Sequence, residues 1–259
     1  MLILLPPSEG KSTPRRGKPL DLEDLGFPAL TVARRQALDA LVELCGTDPD
    51  LAARTLGLGT TQIDEVRRNH QLPASPAARA DTIYTGVLYD ALDLATLDPA
   101  SRRRASRSLA ITSSLFGLLR PGDRIPSYRL AGGVNLPGIG VVASHWREVL
   151  DPVVREAAGR GLVVDLRSST YAAFWRPQPD LARKVATVRV LQQVGSERKV
   201  VSHFNKATKG KLVRALLEGG ANPASPARLA DAIGDLGWKV ELHDPGANSQ
   251  QLDVVVDEV

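Results

Sequence analysis

Leu4-Leu5-Pro6-Pro7-Ser8-Glu9-Gly10-Lys11 begins as an apolar strand and stops at a Pro-Pro pair, leaving a serine, a carboxylate and an amine just beyond the strand end. Proline has no backbone N–H and a fixed φ, so the pair ends strand pairing and sets where the three polar side chains point. A second junction of the same build is Ser114-Leu115-Phe116-Gly117-Leu118-Leu119-Arg120-Pro121, after an apolar run at 109–112. Strand ends hold polar groups on rigid supports, so both junctions are expected places for a binding or reacting site. Residues 1–5 are too short for the apolar core of a signal peptide, no small-residue cleavage site follows them, and they read as the first strand.

Helices and strands interleave around these junctions. Thr31 is expected to cap a helix that carries Leu38, Leu41, Val42 and Cys45 and ends at Gly46. Asp48-Pro49 opens a second helix through Thr55, and Thr60 or Thr61 caps a third bearing Ile63, Val66, Arg67 and Arg68. Helices at 88–94 and 99–106 lead to the strand at 109–112. A strand at 140–143, a helix at 146–158, and strands at 162–166, 185–194 and 200–203 follow, with helices at 206–218 and 225–236. Residues 238–243 and 252–256, parted by Asp244-Pro245-Gly246, read as a C-terminal β-hairpin. No repeat or linker divides the chain. The expectation is one α/β domain over residues 1–259: a mixed, twisted β-sheet surrounded by helices, with a helical insertion at about 48–70.

The 259 residues, 43% apolar and 24% charged, have the composition of an ordinary soluble protein, and no apolar run approaches the ~18 residues needed to cross a bilayer. A single cysteine, Cys45, excludes an intrachain disulfide framework and fits a reducing cytoplasm. The net charge of +4 understates the local fields. Arg102-Arg103-Arg104 with Arg107, then Arg120, Arg124 and Arg129, then Lys206, Lys209, Lys211 and Arg214, are clusters with few acids beside them.

Ser8-Glu9-Gly10-Lys11-Ser12 is not a phosphate-binding P-loop. Leu5 stands where that motif needs its first glycine, and Pro6 and Pro7 remove N–H donors. His70, His145, His203 and His243 are widely separated and lack partners at metal-ligand spacing, so no metal site and no cofactor are expected. Leu56-Gly57-Leu58-Gly59-Thr60-Thr61 joins two expected helices in the pattern of a helix-hairpin-helix. There Gly57 and Gly59 permit close approach, and Thr60 and Thr61 open the next helix toward a DNA phosphate. The same residues equally fit a glycine C-cap followed by a threonine N-cap. The loop carrying Arg120, Arg124, Tyr128 and Arg129 offers guanidinium groups for phosphate and a phenol for base stacking, unless Tyr128 packs inward. Lys206 and Lys209 share one helical face at an expected helix start, where cations oppose the macrodipole and a bound anion would relieve them.

Taken together, these blocks resemble the YaaA peroxide-stress family. The resemblance rests on Leu5-Pro6-Pro7-Ser8-Glu9-Gly10-Lys11, on Tyr84-x-Gly86-x-x-Tyr89-x-x-Leu92 and on 113–123 continuing into Tyr128-Arg129-Leu130. Leu166-x-Ser168-Ser169-x-Tyr171 and Lys206-x-x-Lys209-Gly210 extend it in order along the chain. Phe116, Ser114 and Lys209 stand where the family pattern has Tyr, Gly and Arg. The resemblance implies a cytoplasmic α/β protein with a basic cleft and a helix-hairpin-helix-like element. It also implies DNA binding and a part in limiting free iron and oxidative DNA damage under peroxide stress.

Two functions are expected to compete. In the first, Lys11, Arg120, Arg124, Arg129, Lys206 and Lys209 line one cleft with the 57–61 hairpin at its mouth, and bind DNA with little sequence preference. In the second, the protein is a glycosidase- or lyase-like enzyme acting on a nucleobase or nucleoside. Glu9 is then the general acid/base beside Ser8 and Lys11, unless it only pairs with Lys11 or Arg129.

Overall fold

The fold was analysed in a computed structural model that describes residues 1–194, 197–199, 202–245 and 249–257. Its main sheet contains β1 (Leu2–Leu5), β2 (Leu109–Ser113), β3 (Gly117–Leu119), β4 (Val163–Asp165), β5 (Val185–Val194), β6 (Glu197–Lys199), β7 (Lys239–Pro245) and β8 (Gln250–Asp257). The spatial order is β7-β8-β5-β4-β1-β2-β3, with β6 folded back on β5. The five central strands run parallel, while β3 and β7 are antiparallel edges. The sheet is therefore mixed and the fold α/β, as the interleaved pattern implied. All residues of β1 and β2 are buried, the signature of strands covered on both faces.

The helices longer than four residues are α1 (Thr31–Thr47), α2 (Pro49–Thr55), α3 (Asp64–His70), α4 (Val87–Leu92), α5 (Pro99–Ser108), α6 (Val142–Ala158), α7 (Ser202–Glu218) and α8 (Pro226–Asp235). The crossover from β1 to β2 carries α5, and the crossover from β2 back past β1 to β4 carries α6. With right-handed connections these two helices cover opposite faces. On the α5 side, α7 packs tightly against α4. A Cβ on Gly210 would stand 2.3 Å from the Leu88 carbonyl oxygen, so only glycine allows that crossing. Elsewhere, α1 packs on α3 and α6.

Several local expectations are corrected. Thr31 is already helical and makes no side-chain cap, because the 3-10 turn Pro28–Leu30 leads straight into α1. Gly46 does not end α1. It lies inside the helix, where an added Cβ would stand 2.6 Å from the His70 ring. Thr60 and Thr61 form a 3-10 turn, Thr60–Gln62, ahead of α3 rather than capping it. The strand expected at 140–143 is only the two residues Gly140–Val141, paired with Asn135–Leu136. Of the strand expected at 200–203, Val200 and Val201 lie outside the described residues, while Ser202 and His203 begin α7. Gly246 of the hairpin turn is also outside them, and β7 and β8 pair antiparallel as expected.

Candidate functional site

In an open parallel sheet, ligands collect beyond the carboxyl ends of the strands, where the strand order changes direction. Here the chain leaves β1 toward β2 on one side and leaves β4 toward β5 on the other, so the switch point lies between β1 and β4. The first junction, Pro6 to Lys11, is the segment that emerges there from β1, and Leu166-Arg167-Ser168 emerges beside it from β4. The backbone N–H of Leu166 donates to the Leu4 carbonyl oxygen at 3.0 Å, carrying the pairing one residue beyond β4.

Past its prolines, the first segment is tied down on the 82–86 turn. Ser12 N–H donates to the Ile83 carbonyl, Thr85 N–H donates to the Gly10 carbonyl, and the Ser12 hydroxyl donates to the Thr82 carbonyl at 2.6 Å. Tyr89 donates its hydroxyl to the Pro6 carbonyl at 2.7 Å. Gly86 has φ +100°, a conformation favouring glycine, and a Cβ there would stand 3.1 Å from the Ser8 hydroxyl oxygen.

These ties aim three groups. The Glu9 carboxylate faces solvent and accepts from Arg129 Nη1 at 2.9 Å and, weakly, from the Tyr171 hydroxyl at 3.5 Å. Lys11 is half-buried and donates from Nζ to the Ser8 carbonyl at 3.0 Å. The Lys11 Nζ also lies 4.5 Å from the centre of the Tyr128 ring and 5.7 Å from that of Tyr84. Burial against these rings lowers the Lys11 amine to about 8. The Arg129 charge pushes the same way, and the Glu9 and Glu65 charges oppose it.

Beneath Lys11 lies a buried hydroxyl network. Tyr128 meets the Tyr84 hydroxyl at 2.9 Å and the Ser113 hydroxyl at 2.8 Å, and Ser113 Oγ also accepts from the Phe116 N–H at 3.0 Å. Burial raises the phenols of Tyr84, Tyr89, Tyr128 and Tyr171, so all four remain neutral near pH 7. Tyr128 is thus interior, with its face covered by Lys11 and its ring edge-to-face with Phe116, so it is not open for a base to stack on.

Arg129 is held from α3. Buried Asn69 donates to the Arg129 carbonyl at 2.7 Å and accepts its N–H at 2.9 Å, which locks that backbone to the helix following the 57–61 turn. Sequence reading missed Asn69, and no spacing signal marks it. It also missed Arg34, a fully buried guanidinium that donates to the carbonyls of Gly26, Phe116 and Leu118, with Nη1 left unpaired. Burial lowers the Arg34 guanidinium to about 10, the Asp123 charge opposing it.

The expected cleft residues divide between two edges of the sheet. Ser8, Glu9, Lys11, Tyr128 and Arg129 gather at the carboxyl edge. Lys209 is buried at the same edge, its Nζ donating to the Leu166 carbonyl at 3.0 Å. Burial lowers that amine to about 8 against the Asp165 charge. Because α7 begins at Ser202, Lys206 and Lys209 lie in its second turn and not at its start, and Lys206 is exposed. Arg120 is at the other edge: β3 runs antiparallel, and the guanidinium donates to the carbonyls of Arg107 and Leu109 and stacks on Phe27. Arg124 pairs opposite Arg79 and donates to the Ala77 carbonyl.

Gly57, with φ +65°, and Gly59 have open space where a Cβ would stand, and Thr60 and Thr61 are exposed. The N–H groups of Gly57, Leu58 and Gly59 donate within the turn, to Arg54, Ala53 and the Gln62 side chain. Among the described residues no three His, Cys, Asp or Glu side chains gather as a metal-binding group, and no helix is long and apolar enough to cross a membrane.

Comparison with known proteins bears on the same segments. The family model described as "Peroxide stress protein YaaA" matches residues 1–242, which include every group just described. The chain belongs to the YaaA peroxide-stress family. It is similar to a UPF0246 protein of Streptomyces coelicolor, 53% identical with both chains covered in full. A UPF0246 protein of Corynebacterium efficiens is 39% identical, over 94% of this chain and 96% of its own. An uncharacterised Campylobacter jejuni protein is 28% identical over 82% and 83% of the two chains. Family membership places this protein with peroxide-stress proteins, and the Ser8-Glu9-Gly10-Lys11 junction lies at the topological switch point of its sheet.

Proposed function

We propose that the protein serves the peroxide-stress role of its family in the cytoplasm by binding DNA, largely without regard to sequence, across the carboxyl edge of its sheet. Lys11, Arg129 and exposed Lys206 supply cations there, and the 57–61 turn supplies a second point of attachment. The observation that carries this reading is the paired hydrogen bonding of Asn69 to Arg129, which makes the hairpin helix and the cationic switch point one rigid unit. Thr60 and Thr61 present hydroxyls on an unobstructed turn, suited to phosphate oxygens. Because the N–H groups of Gly57, Leu58 and Gly59 are satisfied within the turn, its contact with phosphate falls to Thr60 and Thr61. Titration of a duplex at several salt concentrations tests the proposal. Log affinity should fall steeply and linearly with log salt, and a salt-insensitive curve overturns it.

A second reading, catalysis on a nucleobase or nucleoside, is favoured by one observation. The Glu9 carboxylate is more than half exposed, yet two donors from separate segments orient it. Under that reading Glu9 moves a proton on the bound base, and Ser8 and Lys11 line its position. Glu9→Gln should then abolish turnover of a damaged-base duplex and leave binding intact. Unaltered product formation by the variant rejects Glu9 as the acid/base.

A further inference from the structure

The Lys11 amine has a setting that phosphate binding does not require. A phosphate contact is best served by a fully solvated ammonium, whereas this Nζ is half-buried over two phenol rings with a single hydrogen bond to a neutral carbonyl. The nearby carboxylate, Glu9, is engaged by Arg129 and Tyr171, and among the described residues Lys11 forms no ion pair. An amine desolvated against apolar walls beside a second cation is the arrangement that makes lysine a nucleophile toward carbonyls. Near pH 8 about half of such amines carry a free lone pair.

We propose that Lys11 forms an imine with the open-chain aldehyde of deoxyribose at positions where DNA has lost a base. The inference rests on the DNA-binding reading and specifies the substrate class of that same site. The Nζ lone pair forms a C–N bond to the aldehyde carbon, and the carbonyl π pair moves to oxygen, which takes up a proton. The carbinolamine then loses its hydroxyl and the remaining nitrogen proton as water, giving C=N. One water leaves, and nothing is oxidised or reduced. Glu9, the carboxylate whose charge acts most strongly on this amine, relays the protons. Arg129 and Lys206 hold the flanking phosphates.

The test is reductive trapping with sodium borohydride on the full chain, read by peptide mass mapping. Three probes are compared: a duplex with one natural abasic site, the same duplex with a tetrahydrofuran analogue that has no aldehyde, and free 2-deoxyribose 5-phosphate. The expected result is a stable adduct on Lys11 with the natural abasic duplex and none with the analogue, although both duplexes bind. Lys11→Arg should lose the adduct even at a concentration of the natural abasic duplex that saturates the variant. The Met1 amine and buried Lys209 serve as internal controls in the same map. Binding of both duplexes without an adduct, or an adduct on Met1 or Lys209 instead, overturns the inference and leaves the DNA reading standing. Failure of both duplexes to bind overturns the DNA reading. An adduct of the free sugar phosphate on Lys11 in that case keeps the imine and reassigns its source to a small sugar aldehyde.

Discussion

Lys11 shows how burial alone reassigns a residue. In the sequence it is one of 33 basic side chains, and nothing in its spacing separates a solvated ammonium from a tuned amine. Its folded value of about 8 lies below the ordinary lysine value near 10.4, so between these two pH values the unfolded chain binds more protons than the folded one. The unfavourable burial of this charge is fully present below about pH 8, and stability should rise as pH climbs from there toward 10.4. Lys209 acts in the same direction. Competitive acetylation read by mass mapping should give Lys11 a midpoint near 8, and a midpoint near 10.4 would contradict the assignment. Asn69 makes the converse point, since a neutral side chain positions a charged one. Asn69→Ala leaves the Arg129 N–H and carbonyl unpaired and should destabilise the fold by about 1–3 kcal/mol in urea unfolding. It should also weaken DNA binding. Loss of stability with unchanged affinity would separate Asn69 from the site.

At the scale of elements, the fold could be read where a local rule was strong. Four consecutive apolar residues before Pro-Pro gave β1, Asp48 with Pro49 gave α2 and its cap, and the alternation at 185–194 gave β5. The failures have long-range causes. Gly46 and Gly210 lie inside helices because each faces another element, the His70 ring and the Leu88 carbonyl, and no local pattern announces such a contact. The strand β3 has three residues and exists only by pairing with β2. For the site, Glu9, Ser8 and Lys11 could be picked out from the Pro-Pro junction, whereas Asn69 and the inward turn of Tyr128 depend on tertiary contacts. Gly210→Ala forces α7 from α4 at a 2.3 Å clash with backbone and should cost about 1–3 kcal/mol. A control in the same unfolding series is Asp48→Ala, which removes the carboxylate bonded to the Leu51 N–H at 2.9 Å and should cost about 1 kcal/mol. If Gly210→Ala unfolds like wild type while Asp48→Ala is destabilised, the close crossing does not hold α7 in place.

Across the whole molecule, the cations expected to line one cleft do not share one edge of the sheet. Arg107 and Arg120 meet where β2 begins, while Lys11, Arg129 and Lys209 lie where β1 and β4 end, and exposed Lys206 stands three residues before Lys209 on α7. The parallel order of the central strands enforces this split, because β3 returns the chain to the amino edge before the 120–130 loop crosses back to Tyr128 and Arg129. Net charge cannot distinguish the two edges, but ligand geometry can, since only the carboxyl edge has the switch point. The most direct measurement is therefore the salt dependence of DNA affinity for Lys206→Ala beside Arg107→Ala, both exposed positions, one at each edge. The carboxyl-edge site predicts a salt slope lower by about 1 for Lys206→Ala and unchanged for Arg107→Ala. The opposite pattern, or equal loss from both, would place DNA elsewhere on the protein.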